Sequence, residues 1–172
     1  QGRVGALAFD PEGRWFVTAG EDRTVRLWDM SPLSGSEGSG TGAPTVVHVL
    51  YSHAASVSSV IFSRDGQWLA SGSDDTTARV WRLSDILDVN PSDPSPVDFL
   101  LLRGHLARVT SVAFNRDGRW LATGSDDGTA RLWNLQATDP SSEPRILYGH
   151  EGPVPTVASS PDGAWLVTGS GD

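Results

Sequence analysis

Apolar and polar residues follow one another in short runs along the chain, and inside the unit they form the periodicity is that of strands. Val109-Thr-Ser-Val-Ala-Phe114, Trp120-Leu-Ala-Thr123 and Thr129-Ala-Arg-Leu-Trp133 are β-branched or aromatic, and a further run, Asp98-Phe-Leu-Leu-Leu102, stands just before Gly104-His105. Between the first two runs lies Asp117-Gly118, with Asp65-Gly66, Asp162-Gly163 and Glu12-Gly13 in matching places elsewhere. Such pairs tolerate positive φ and favour tight hairpins, so the pattern predicts four antiparallel strands per unit.

The unit recurs. The stretch from Leu102 to Leu135 returns, whole or cut, four times, and its landmarks keep their offsets. Asp22, Asp75, Asp127 and Asp172 are 53, 52 and 45 residues apart, Trp28, Trp81 and Trp133 are 53 and 52 apart, and His53, His105 and His150 are 52 and 45 apart. A fixed period of this size predicts a stacked array in which no unit buries its apolar faces alone. The expected units are 1–52, 53–104, 105–149 and a partial 150–172, together forming a single domain.

Gly104-His105, Phe114-Asn-Arg-Asp-Gly118, Leu121-Ala-Thr-Gly-Ser125, Asp127 and Leu132-Trp133-Asn134 together resemble a WD repeat (WD40), the blade module of β-propellers. The resemblance covers nearly everything outside the connectors and rests on several co-spaced motifs. Only Trp28-Asp29 is a literal WD pair; Trp81-Arg82 and Trp133-Asn134 depart from it, and Ser159 stands where earlier copies carry Phe9, Phe62 and Phe114. The implied fold class is all-β: an open, incomplete propeller of four-stranded antiparallel blades, with three blades and the inner half of a fourth.

The chemistry-bearing set is a His, a Ser or Thr, an Asp and a Trp. Two sets are complete, His53, Ser71, Asp75, Trp81 and His105, Thr123, Asp127, Trp133; two are partial, Thr18, Asp22, Trp28 and His150, Thr168, Asp172. A nucleophile, a base and an orienting acid are also what a hydrolase needs. An enzyme needs one such site, however, and recurrence in every copy favours a blade-stapling network over a catalytic role. The resemblance implies how it is wired: Asp bonds His, His bonds the hydroxyl, and the hydroxyl meets the Trp indole N–H.

Other features weigh less. Asp74-Asp75 and Asp126-Asp127 lack the spacing of a calcium loop, so no metal site is expected. Trp15, Trp68, Trp120 and Trp165 each follow a hairpin glycine by two residues, which suits packing against an adjacent blade, or less readily an aromatic ladder for a sugar or peptide. Three connectors interrupt the units. Ser31–Thr45 is Ser/Gly-rich and reads as a flexible loop before the strand Val46–Leu50; Ser84–Val97 reads as a stiff, acidic, exposed loop; Gln136–Glu143 is shorter. The resemblance places all three between third and fourth strands. The histidine matching His53 in the first copy would fall one residue before Gln1, and the last copy, with Pro155 in its first strand and Ser159, is expected to be the weakest blade.

Composition then narrows the function. A net charge of −8 argues against a nucleic-acid binder. All thirteen basic residues are Arg, there is no Cys for a disulfide or thiolate site, and no apolar run approaches the ~20 residues of a membrane span. No cofactor is expected. What remains is surface. The resemblance implies a protein or peptide partner on the face where the His and Asp loops gather, near Arg3, Ser56 and Arg108 before the first strands and Glu21, Asp74 and Asp126 before the network Asp. Mutual salt bridges account for that mixed ring about equally well. The leading expectation is a non-enzymatic, cytoplasmic interaction scaffold forming one segment of a larger propeller. The alternatives are a sensor portion of an effector whose kinase or NTPase part lies outside these residues, and self-association through open blade edges.

Overall fold

In the computed structural model, which describes residues 2–31, 43–51, 53–90 and 97–172, hairpin chemistry decides the local structure. The first turn of every copy closes alike: Gly13, Gly66, Gly118 and Gly163 hold φ between 69° and 76°, and their N–H groups donate to the carbonyls of Asp10, Ser63, Asn115 and Ser160. The same four residues accept, through their side chains, the N–H of Trp15, Trp68, Trp120 and Trp165, which starts the next strand in register.

The strands are β1 (Val4–Phe9), β2 (Trp15–Gly20), β3 (Val25–Asp29) and β4 (Thr45–Leu50); β5 (Val57–Phe62), β6 (Trp68–Ser73), β7 (Ala78–Arg82) and β8 (Leu100–Leu102); β9 (Val109–Phe114), β10 (Trp120–Ser125), β11 (Ala130–Asn134) and β12 (Arg145–Leu147); then β13 (Thr156–Ser159) and β14 (Leu166–Gly169). Each group of four is one antiparallel sheet in sequence order, and β13 with β14 forms a two-stranded sheet. The architecture is all-β, with the first strands β1, β5, β9 and β13 packed in succession.

Burial follows the joints between sheets. Val17, Val25 and Leu27 of the first sheet pack with Val57, Val60, Phe62 and Trp81 of the second. Ala70, Ala78 and Val80 pack with Val109, Val112, Phe114 and Trp133, and Ala113, Ala122 and Ala130 with Val154 and Val157. Each sheet thus offers small or branched residues on one face and large ones on the other, the complementarity a stacked array needs. Gly72 shows how close the approach is, since a Cβ there would meet Val109 Cγ1 at 2.7 Å.

Hydroxyls also cross two of the joints. Ser58 Oγ donates to the Val109 carbonyl, and Thr110 Oγ1 donates to the Val154 carbonyl at 2.6 Å. Ser59 and Ser111 in turn accept the N–H of Val112 and Val157, each at 3.2 Å. The first sheet carries Gly5 and Ala6 at these two positions and so has no hydroxyl to offer the second.

Several expectations need correction. The connector after β7 is no exposed loop at its start: Leu83–Asp88 forms a short helix, α1, with Leu83 and Ile86 buried against the first joint. Its apolar residues at helical spacing, ahead of the prolines, explain the difference. Residues 32–42 and 91–96 of the first two connectors lie outside the described residues. The outer strand expected from Asp98 begins at Leu100. Pro155 lies outside β13, which starts at Thr156, because proline has no N–H for the ladder. Thr24, Thr77 and Thr129 precede their strands; their side chains are engaged in the preceding turn.

Candidate functional site: a buried clasp in each blade

The loop before the first strand brings the His, the second strand the Ser or Thr, the turn after it the Asp and the third strand the Trp, and in the second and third sheets these meet. In the third sheet, His105 Nδ1 lies 2.8 Å from Asp127 Oδ2 and Nε2 lies 2.7 Å from Thr123 Oγ1, while the Trp133 indole N–H donates to Thr123 Oγ1 at 2.9 Å. In the second, His53 lies at the same 2.8 and 2.7 Å from Asp75 and Ser71. Here the wiring implied by the resemblance stops one link short: among the described residues no hydrogen bond joins Trp81 to Ser71. The Trp81 ring meets His53 edge-on at 6.5 Å, as Trp133 meets His105 at 6.2 Å, and packs on Phe99 at 6.0 Å. Thr18 and Thr123 carry a methyl that fixes their rotamer, and Ser71 does not.

The carboxylates are saturated. Asp127 Oδ2 also accepts the Leu106 N–H at 2.9 Å, and Oδ1 accepts both the Thr129 N–H and its hydroxyl, at 2.9 and 2.6 Å. Asp75 repeats this with Ala54 and Thr77. Burial pushes both carboxyls up, but the bonds from Thr77, Ala54 and His53, and from Thr129, Leu106 and His105, outweigh it and hold each at about 2. For His53 and His105, burial pulls the ring below its ordinary value and the Asp partner offsets this only in part. The network therefore assigns a neutral ring that donates from Nδ1 to Asp and accepts at Nε2 from the hydroxyl.

The outer copies are looser. In the first sheet Asp22 bonds Thr24 Oγ1 at 2.8 Å and pairs with Arg26 Nη2 at 2.7 Å, while the Trp28 indole donates to Thr18 at 3.0 Å. In the last, His150 lies 2.9 Å from Thr168 and 3.2 Å from Asp172, and Asp172 accepts the Glu151 N–H at 2.6 Å, which with further hydrogen bonds holds its carboxyl at about 2.

The order hydroxyl, imidazole, carboxylate is that of a hydrolytic triad, but access decides what it does. Ser71 and Thr123 are 0 % exposed, so no substrate carbonyl can reach either oxygen, and the Thr123 oxygen already accepts an indole proton. Sequence reasoning missed Thr77 and Thr129, two residues after the Asp, and Ser73 and Ser125, two before it. Ser73 and Ser125 are fully buried and bond back to carbonyls of the His loop, at Ser56 and Ala107. Their constant offsets from the Asp were the available signal.

Comparison with known proteins agrees with this geometry. Residues 1–29, 44–82, 97–134 and 141–172 match the WD domain, G-beta repeat family, well over half of the chain. The chain belongs to the WD-repeat family. Protein HIRA of Dictyostelium discoideum is 32 % identical over 131 residues, covering 74 % of this chain and 12 % of that protein. Striatin-3 of Homo sapiens is 32 % identical over 139 residues, 80 % of this chain and 17 % of striatin-3. The target of rapamycin complex subunit wat1 of Schizosaccharomyces pombe is 31 % identical over 121 residues, 70 % of this chain and 32 % of that subunit. The chain thus spans less than a third of the length of each.

Around the clasp, the WD-repeat loops pair the surface residues through backbone. Glu21, Asp74 and Asp126 donate their N–H groups to the carbonyls of Arg3, Ser56 and Arg108. Arg108 and Asp126 also form an ion pair, and the charge of Asp74 in the neighbouring blade acts on the same guanidinium. The Arg3 N–H bonds the Glu21 carboxylate at 3.3 Å. No group of three or more potential metal-ligating side chains exists among the described residues, and no described helix is long and apolar enough to cross a membrane. Of the four hairpin tryptophans, Trp15 is buried in the first joint and Trp68 is half-buried with Arg82 stacked on it at 4.9 Å. Trp120 and Trp165 are 37 and 72 % exposed.

Proposed function

We propose that this WD-repeat chain is a non-enzymatic scaffold, one segment of a larger propeller, that grips a protein or peptide partner on the face where the His and Asp loops gather. The observation that carries it is the burial of the two complete clasps: the Ser71 and Thr123 hydroxyls are walled in, so the clasp fixes loops and the loops' outer residues are left to make contacts. Those contacts are assigned to Arg3, Ser56, Arg108, Glu21, Asp74 and Asp126. Arg108 remains more than half exposed beside two carboxylates, and Tyr51, Leu106 and Tyr148, on the segments leading to β5, β9 and β13, are exposed as well. An aromatic and charged mixture of this kind is what partner-binding surfaces use.

The test is capture of a partner by the whole protein and by Arg108→Glu and Asp126→Arg variants. Loss of the partner in both, with melting unchanged, supports the reading; retention in both overturns it. Whether an effector domain accompanies the propeller is separate. Esterase or phosphatase activity that vanishes with His105→Ala would overturn the scaffold reading outright.

A further inference from the structure

The two joints between four-stranded sheets are closed differently at their hairpin end. Leu83 and Leu135 are equivalent: each follows the clasp Trp by two residues and donates its N–H to the hairpin of its own sheet, at the Gln67 and Arg119 carbonyls. Leu83 is buried in the first joint and Leu135 in the second. Three residues further on the two blades diverge. Ile86 of α1 is fully buried in the first joint, in one cluster with Trp15, which is 8 % exposed. Its counterpart Thr138 is polar and exposed, and Trp68, the counterpart of Trp15, stays half-buried. Trp133 and Leu135 are both in place in the second joint, so its strands are complete and what it lacks is the apolar helical turn.

The result is a cleft of about 240 Å³ lined by Trp68, Val80, Phe99, Leu100 and Leu135, with the exposed Arg82, Asp85 and Asp98 around it. It lies at the opposite end of the strands from the His loops, since β5 runs from Val57 beside Ser73 to Phe62 beside Leu69 and Trp68 begins β6. The volume is below the about 300–1,000 Å³ of small-molecule sites and suits an aliphatic side chain with the turn that carries it. The first joint shows the filled form of the same place, where Leu83 and Ile86, three residues apart on one helical turn, complete the cluster around Trp15. Charge sets the rest. Asp85 accepts the Ser84 hydroxyl at 3.0 Å, and among the described residues neither Asp85 nor Asp98 is in an ion pair. Asp88 adds a third exposed carboxylate on α1. Against them stands Arg82, stacked on the Trp68 ring at 4.9 Å, so the surroundings are net acidic, as the whole chain is at −8.

We propose that this cleft is a second partner site, which takes a basic helical segment of a protein partner by seating an isoleucine or leucine against Trp68, as Ile86 closes the first joint, while flanking lysines or arginines pair with Asp85 and Asp98. It rests on the reading of the chain as an interaction scaffold but uses none of the residues assigned to the His face.

The probe is an acetylated and amidated alanine-based helical peptide with a central Leu-x-x-Ile pair flanked by lysines, titrated into the whole protein by calorimetry. Counterparts carry glutamate flanks, or alanine in place of the isoleucine. Expected are saturable binding of the first probe, weakened by salt, and at least about tenfold weaker binding of both counterparts. Trp68→Ala abolishes binding. Asp85→Asn with Asp98→Asn weakens it about fivefold and removes the preference for lysine flanks. Both aspartates are exposed, so this pair of substitutions leaves the core intact and the test stands even if Trp68→Ala does not fold. Arg82→Gln removes the one opposing charge and strengthens binding; weakening would mean that the cleft prefers an acidic segment, and overturns the proposal. No binding at millimolar probe, or a lysine preference that survives the two asparagines, overturns it as well. Arg108→Glu should leave probe binding unchanged. A partner lost by Arg108→Glu while the probe fails to bind would uphold the His-face reading and sink the cleft, and the reverse pattern would separate them the other way.

Discussion

His105 Nδ1 and Asp127 Oδ2 are 2.8 Å apart with almost no exposed side-chain surface, whereas the same pair in the last blade, His150 and Asp172, is 3.2 Å apart and about a quarter exposed. One chemistry therefore sits in two environments. Removing a partner from a buried set leaves donors without acceptors, and removing it from a wet set lets water replace the loss.

Asp127→Ala is accordingly expected to destabilise strongly. It orphans the His105 ring, the Thr129 hydroxyl and N–H and the Leu106 N–H, at about 1–3 kcal/mol for each buried group that water cannot reach. For a domain of this size each kcal/mol lowers the melting temperature by about 2–4 °C. Asp172→Ala should cost much less. Thermal melting of both variants checks the order, and equal losses would show that burial does not govern the clasp.

Stability should fall with acid in two steps. His53 and His105 are depressed below 6.5 by burial, so below that pH the unfolded chain takes up protons that the folded chain refuses, and stability present above pH 6.5 declines as pH falls. Asp75 and Asp127 are lowered from 3.8 to about 2, so their contribution is full above pH 3.8 and is lost as pH falls toward 2. Urea midpoints measured from pH 8 to 2 should show both declines. A flat profile between pH 7 and 5 would mean that the rings are not held neutral.

The repeat was readable because its landmarks are rare residues at fixed spacing: a histidine 22 residues before an aspartate, three times over, needs no structure to be noticed. What escaped notice was chemically common. Ser73, Ser125, Thr77 and Thr129 look like ordinary strand-end residues; the carbonyl partners of the two serines appear only once the His loop is folded over them, and the two threonines bond the Asp of their own turn. Helix α1 was hidden by the Asp- and Pro-rich stretch after it, although Leu83 and Ile86 carried its buried side. Ser159 was visible as a departure, but only the strand register shows that Ala113 and Arg145 depart with it from Ile61 and Leu100 of the preceding blade.

Thr76→Gly should stabilise. Thr76 holds φ at 69°, where a β-branched side chain is strained, and the third blade has Gly128 at this position with φ 79°. The strain of about 1–2 kcal/mol exceeds the backbone entropy glycine adds to the unfolded chain, about 0.5–1 kcal/mol. A rise of up to about 1 kcal/mol in urea unfolding is expected; a loss would mean that the Thr76 side chain makes contacts worth more than its strain.

The hydroxyls between blades give a reciprocal pair of substitutions. Ser58→Ala removes the bond to the Val109 carbonyl and should cost about 1 kcal/mol, since that carbonyl is within a joint. At the equivalent place in the first blade, a Cβ built on Gly5 would meet the Val57 carbonyl at 3.5 Å, an ordinary contact, and its φ is not in the left-handed region. Gly5→Ser therefore puts a hydroxyl within reach of the next blade's carbonyl and also restricts the unfolded chain, each worth up to about 1 kcal/mol. Urea unfolding of both variants should move in opposite directions. If Gly5→Ser destabilises while Ser58→Ala does as expected, the first joint is built to a different spacing from the second, and the glycine is there because the blades need it bare.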